Sequence, residues 1–278
     1  MAFRIVRAVL IGLVLSFLLA CGYLYFNQTK LIFPSVHKPG EFEQCEGMKA
    51  LGFEAKQMNG IRFFHRPNPH PKGFLFFIHG NGSIACDSHW LFSRILNQPL
   101  DFIAYEYPGY AGDTRTPAEK IILEEVTALF DEVRGKVKGT SFVFGKSLGS
   151  GPAVYLAANR KVDRLILEAP YDSVADIGQD RYPIIPVRLL TRSSFSAKDW
   201  APKVQSKTLI YLAETDNTIP RIRSTNFIRA LTNSPTVVEL PLAGHNNMSS
   251  GESAKLYWDE FIKFISENQA PLERQRAR

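Results

Sequence analysis

No charged residue lies between Arg7 and Lys30, and the core of that stretch, Ala8 to Phe26, reads AVLIGLVLSFLLACGYLYF. As a helix rising about 1.5 Å per residue it is roughly 28 Å long, close to the ~30 Å hydrocarbon layer of a bilayer. Tyr23, Tyr25 and Phe26 gather at its far end, where aromatic rings favour the membrane interface. Arg4 and Arg7 precede it, which favours an N-terminus inside and the remaining chain on the extracytoplasmic side. The pattern predicts a single-pass membrane anchor over residues 1–30, followed by one domain over residues 31–278.

Two other readings share these features. A cleaved signal peptide has the same basic start and apolar centre. Leu18-Leu19-Ala20-Cys21 resembles a bacterial lipoprotein box, in which Cys21 would carry the lipid after cleavage. Against cleavage, the apolar run continues past Cys21 through Tyr23-Leu24-Tyr25-Phe26. Membrane association through this segment is the expectation, with a lipoprotein anchored at Cys21 as the alternative.

Beyond the Pro-containing link Leu31 to Ser35, the pattern changes period. Two short strands are expected near Gly52 to Met58 and Ile61 to His65, hinged at Asn59-Gly60. Apolar runs of strand length then alternate with helical segments. The strands are Phe74 to Ile78, Phe102 to Tyr105, Ser141 to Phe144, Leu165 to Leu167, Leu209 to Leu212 and Val237 to Leu240. Helices are expected over Asp87 to Leu96, from Thr116 to about Arg134 with Gly135 as the stop, over Pro152 to Asn159, and over Ala254 to Ile265. This β–α alternation implies an α/β fold with a mostly parallel sheet covered by helices on both faces. Residues 171–206 break the rhythm with Pro183, Pro186 and Pro202. They read as a cap inserted over the C-terminal strand ends, where open α/β sheets bind ligands.

Composition adds limits. The chain has 278 residues, 45% hydrophobic and 22% charged, which suits one globular domain with a full core. The net charge of +6 is scattered, apart from the basic tail Glu273 to Arg278, and no nucleic-acid module appears. The tail reads as a solvated end or as a contact for anionic lipid head groups. Among three cysteines, Cys21 lies in the apolar run and no metal-ligand spacing occurs, so no metal site is expected. Cys45 and Cys86 are open to two readings: two free thiols, or one bridge in an oxidising compartment.

The candidate chemistry begins at Gly145-Lys146-Ser147-Leu148-Gly149, a G-x-S-x-G sequence between an apolar strand and a helix. That context is the nucleophile elbow, in which a sharp turn lifts the serine Oγ above the sheet at a helix N-terminus. A serine hydroxyl needs a base, and the base needs an orienting carboxylate. Asp216 follows the strand Leu209 to Leu212, and His245 follows the last strand within Ala243-Gly244-His245-Asn246-Asn247. His245 is also the only histidine C-terminal to the serine. The expected catalytic set is Ser147 as nucleophile, His245 as base and Asp216 as acid. Asp172 is the fallback acid, and Glu214 lies across the turn from Asp216. His79-Gly80-Asn81-Gly82 ends an earlier strand, so an oxyanion site is expected from the backbone N–H groups of Asn81 and Leu148. His79 itself reads as a residue bracing the loop.

In these residues and their neighbours the chain resembles the single-pass, membrane-anchored branch of the α/β-hydrolase domain-containing proteins, which includes protein depalmitoylases and related bacterial hydrolases. The resemblance lies in His79-Gly80-Asn81-Gly82, Tyr107-Pro108-Gly109-Tyr110, Gly145 to Ala153, Pro170-Tyr171-Asp172-Ser173, Arg181-Tyr182-Pro183, Pro186 to Leu190, and the segments around Asp216 and His245. It implies an α/β-hydrolase fold with an eight-stranded sheet, a serine triad, and ester, thioester or amide hydrolysis without a cofactor. Lys146 stands where the branch usually has Arg, Ala111-Gly112-Asp113 replaces its common Gly and Ser, and its Cys-rich N-terminus is missing. The expected substrate is an ester or thioester bearing an acyl chain or lipid. The rivals are an amidase or peptidase acting on small substrates, and a catalytically inactive binding protein on the same fold.

Overall fold

The structure, a computed structural model, describes residues 1–34 and 40–267. Ser35 of the link and the basic tail Glu273 to Arg278 lie outside the described residues. Helix α1 (Ala2–Ile32) runs through Cys21 without a break and takes in Leu31 and Ile32, which the pattern assigns to the link. Its most apolar stretch is exposed along its length, and among the described residues it is the one helix long and apolar enough to cross a membrane. Near its C-terminal end, Gln28 is buried against the rest of the chain.

After the single turn α2 (Glu46–Ala50), β1 (Glu54–Met58) and β2 (Ile61–Arg66) form the expected hairpin. Asn59 and Gly60 both take positive φ, 48° and 85°, as a tight two-residue hairpin turn requires. The chain continues through β3 (Gly73–Ile78), α3 (His89–Ser93), β4 (Asp101–Glu106), α4 (Glu119–Lys136), β5 (Thr140–Lys146), α5 (Ser150–Asn159) and β6 (Arg164–Glu168). Three short helices follow in the cap segment: α6 (Val174–Arg181), α7 (Val187–Leu190) and α8 (Ala197–Trp200). Then come β7 (Lys207–Ala213), α9 (Arg221–Ala230), β8 (Thr236–Leu240) and α10 (Ala254–Ser266).

The eight strands make one sheet in the order β1-β2-β4-β3-β5-β6-β7-β8. β2 pairs antiparallel with both β1 and β4, and every later pairing is parallel. β3, β4 and β6 are buried along their whole length and β5 everywhere but at its two end residues, so both faces of these strands are covered and their middles are apolar. From β3 the chain moves to one side for β4 and then returns to the other side for β5. The ends of β3 and β5 therefore flank a topological switch point, where neighbouring loops diverge and leave a crevice. His79-Gly80-Asn81-Gly82 follows β3 and Ser147 follows β5. With the cap inserted between β6 and β7, this is the α/β-hydrolase fold that the resemblance implies.

The helix limits differ from the expected ones in instructive places. The segment Asp87 to Leu96 is a tight turn, Ala85–Ser88, followed by the single turn α3. Cys86 is tied to Cys45 by a disulfide, and the Ala85 N–H is taken by the Glu106 carboxylate at 3.0 Å. α4 starts at Glu119, not Thr116, because Ser193 Oγ from the cap segment accepts the Glu119 N–H at 3.2 Å. Gly135 lies inside α4 instead of ending it.

Candidate active site

Ser147 sits on a left-handed backbone with φ of 50°, a conformation that costs a non-glycine residue of order 1–2 kcal/mol. The surrounding glycines are there for space. A Cβ on Gly149 would stand 2.2 Å from Ile78 O, and one on Gly145 would stand 2.4 Å from Gly149 O. With backbone on the other side of each gap, nothing can yield, so β5 reaches the turn only with glycine at both positions. The turn brings Ser147 Oγ to the N-terminal end of α5, above the sheet.

Two loops from the far half of the sheet meet it there. Ser147 Oγ donates to His245 Nε2 at 2.9 Å, and His245 Nδ1 donates to Asp216 Oδ2 at 2.8 Å. Asp216 follows β7 and His245 follows β8, so adjacent parallel strands deliver both groups to one rim. The other Asp216 oxygen accepts the N–H groups of Thr218 and Ile219, both at 2.8 Å. Burial pushes the Asp216 carboxyl up, but the hydrogen bonds from His245, Ile219 and Thr218 outweigh it and hold the group below its ordinary value. An ionised carboxylate can only accept, so Nδ1 carries the ring proton and Nε2 presents its lone pair to the serine.

Asp172 is turned elsewhere. Its Oδ2 meets Arg223 Nη1 at 3.0 Å and accepts from Asn226 at 3.1 Å, while Oδ1 accepts the Ser173 N–H at 2.7 Å. Glu214 accepts the Leu242 N–H at 2.8 Å and helps to shape the turn between β8 and His245.

The loop after β3 is braced by His79, as expected from the sequence, and by partners that the chain pattern does not reveal. His79 is buried; its Nδ1 donates to Gly80 O at 2.8 Å and its Nε2 meets Glu106 Oε1 at 3.0 Å. Tyr107 and Tyr110 donate their hydroxyls to the carbonyls of His79 and Asn81, each at 2.9 Å. In a trans peptide the C=O and the following N–H point opposite ways. With Gly80 O drawn onto the His79 ring, the Asn81 N–H faces away from that ring. Lys146 is likewise anchored: its Nζ lies 2.7 Å from the buried carboxylate of Glu168, which also accepts from Tyr257 at 2.8 Å. Glu106 and Glu168 each end a strand buried on both faces, and an acidic residue in that position is the signal by which these supports could have been found.

Two cavities meet at Ser147 and Asn81. One, of about 330 Å³, includes His245, Asn246, Gly82 and Lys146 in its lining. The other, of about 470 Å³, includes Leu148 and apolar side chains of the cap and of α1. Both fall in the range of about 300–1,000 Å³ usual for small-molecule sites.

No protein-family model matches the chain. It is 27% identical over 171 residues to an uncharacterized protein of Mycobacterium tuberculosis, covering 60% of this chain and 60% of that protein. The chain thus spans less than two thirds of that relative's length. It is 25% identical over 245 residues to the alpha/beta hydrolase domain-containing protein WAV2 of Arabidopsis thaliana, covering 78% of each. Among solved structures, a monoacylglycerol lipase of Paleococcus ferrophilus superimposes with a TM-score of 0.58 at 16% identity, over 74% of this chain and 98% of that one. At that identity the likeness concerns the fold.

Proposed function

We propose that the chain is a serine hydrolase that cleaves an ester or thioester through an acyl-enzyme. The observation that carries this reading is the unbroken hydrogen-bond chain from Asp216 through His245 to a strained, glycine-flanked Ser147. Ser147 Oγ attacks the substrate carbonyl carbon while its proton passes to His245 Nε2. The oxyanion is held by the backbone N–H groups of Asn81 and Leu148. On collapse, the bond to the leaving oxygen or sulfur breaks, and that atom takes the proton from Nε2. Water then attacks the acyl-serine, gives its proton to Nε2, and releases the acid as Ser147 regains its hydrogen.

Because the leaving group receives its proton from His245, it must depart on the His245 side. That assigns the smaller cavity, with its polar lining, to the leaving group. The larger apolar cavity is left for the acyl portion, which favours an acyl-chain or lipid ester over a small amide.

In the same reading α1 is an uncleaved anchor, and the domain over residues 31–278 stands on the extracytoplasmic side. Arg4 and Arg7 ahead of the helix support that orientation. So does the Cys45–Cys86 disulfide, since such bonds persist in oxidising compartments. A fluorophosphonate probe tests the chemistry: the folded chain is labelled and Ser147→Ala is not. Labelling that persists in Ser147→Ala removes the assignment.

A further inference from the structure

The larger cavity at Ser147 is not closed by the α/β domain alone. Leu24, Leu31 and Ile32 of α1 form one side of it, opposite Val174, Ile177 and Leu190 of the cap. The helix is held in that place by directed bonds. Gln28, only 8% exposed, donates to Leu190 O at 3.2 Å and accepts the Arg192 N–H at 2.6 Å. The Arg192 guanidinium lies over the Tyr25 ring, 4.9 Å from its centre. Asn81 donates its side-chain amide to Ile32 O at 3.2 Å, so the helix end is tied to the loop proposed to hold the oxyanion. A tether that only kept the domain near a membrane would need none of these contacts.

The depth of the contact matters as much as its existence. At about 1.5 Å per residue, Leu24 lies about 24 Å along the helix from Ala8. That is inside the ~30 Å hydrocarbon layer which the apolar run is long enough to cross. By the same count Leu31 and Ile32 lie about 35 Å along, so the cavity wall starts at the edge of the hydrocarbon layer, beside the interfacial Tyr23 and Tyr25, and continues into the headgroup layer. At the same end of the molecule the cap shows Ile184 and Leu189 at 83% and 86% exposure, which would suit a surface facing lipid.

We infer that α1 is the acyl-chain wall of the site, with Leu24 and Leu31 setting chain-length preference, and that the acyl chain reaches Ser147 from within the bilayer. The inference rests on the hydrolase reading above. It identifies the substrate as a linear acyl ester or thioester resident in the membrane, its acyl chain along α1 and its leaving group in the cavity beside His245.

The test uses the full chain in lipid nanodiscs, with acetyl and octanoyl p-nitrophenyl esters. Leu24→Trp fills the wall and is expected to lower the octanoyl-to-acetyl ratio of kcat/KM by about tenfold or more. Leu31→Trp, at a half-exposed position that tolerates bulk, gives the same change should Leu24→Trp fold poorly. Leu19→Trp, on the lipid-facing surface of the same helix, leaves the ratio unchanged. A wild-type ratio in both wall variants overturns the inference while leaving the hydrolase intact. Loss of all Ser147-dependent turnover and fluorophosphonate labelling in the wild type overturns the hydrolase reading and the inference with it. For the route, Leu189→Trp in nanodiscs of bromine-labelled lipid is expected to lose more fluorescence than wild type. Equal quenching would mean that the cap stands clear of the bilayer, and the route would fall.

Discussion

Arg223 Nη1 on α9 stands 3.0 Å from the Asp172 carboxylate, and this pairing occupies the acid that chain order offers as a rival to Asp216. The two carboxylates leave neighbouring strands on the same rim, so position alone does not separate them. Their partners do: Asp216 meets an imidazole, and Asp172 meets a guanidinium and an amide. Asp216→Asn is expected to lower kcat by about 10³–10⁴-fold with little change in folding, since Asn can hold the ring in the wrong tautomer. Asp172→Asn should instead cost about 1 kcal/mol of stability, because Arg223 keeps Asp180 at 2.9 Å and Asp176 at 3.9 Å, and keep kcat per folded molecule within a few-fold. Steady-state kinetics with thermal denaturation of both variants checks this; a larger kcat loss in Asp172→Asn would reverse the assignment.

The backbone at Ser147 leads to a comparison free of any change in chemistry. Ser147→Ala and Ser147→Gly both remove the proposed nucleophile, and both are expected to abolish turnover. They differ in that only glycine adopts φ of 50° without Cβ strain. Ser147→Gly is therefore expected to be more stable than Ser147→Ala by about 1 kcal/mol, read from denaturant midpoints. Equal midpoints would mean that the elbow stores no strain at this residue.

Much of the sheet could be read from the chain because its middle strands are continuous apolar runs, such as Phe74 to Ile78, bounded by Gly and Pro. The rim residues were legible for the same reason: Ser147, Asp216 and His245 each follow a strand that announces itself. Helix α9 was not. Its segment, Arg221 to Ala230, buries Ser224 and Phe227 and carries few other apolar residues, so its periodicity is faint. The supports were hidden too, because Glu106, Glu168 and Arg223 act across the fold and sequence order does not show who meets whom. Gln28 belongs with them: the amide pair Asn27-Gln28 in a lipid-like helix signals a contact without naming it.

Asp176 on α6 pairs with Arg188 on α7 and Lys198 on α8, and this cluster within the cap should depend on pH. Burial pushes the Asp176 carboxyl up, but hydrogen bonds from Lys198, Ser173 and Arg188 prevail and hold it well below the ordinary carboxylate range. Lys198 and Arg188 approach it at 2.6 and 2.5 Å, and Arg223 stands 3.9 Å away. A folded-state value below the unfolded one means that the cluster stabilises fully above about pH 4, the ordinary Asp value, and fades as pH falls towards the folded value. Wild type should melt above Asp176→Asn at neutral pH, and the gap should narrow below about pH 4. A gap that is constant from pH 7 to pH 3 would show that charge at Asp176 does not hold the cap.

The Cys45–Cys86 bond joins positions 41 residues apart and fastens the segment behind α1 to the loop that precedes α3. That loop begins at Asn81 and Gly82, in the cavity proposed for the leaving group. Closing a loop of this length removes unfolded-state entropy worth about 4 kcal/mol on the chain-entropy account. Cys45→Ser/Cys86→Ser is therefore expected to melt well below wild type, and a reductant should lower the wild-type midpoint towards that of the double variant without moving the variant itself. Ala85 and Glu106 remain bonded when the bridge is absent, so the loop should keep its path and the folded double variant its turnover. If reductant leaves the wild-type midpoint unchanged while thiol titration finds both cysteines free beforehand, the bridge does not form in the protein as made, and its support for an oxidising compartment goes with it.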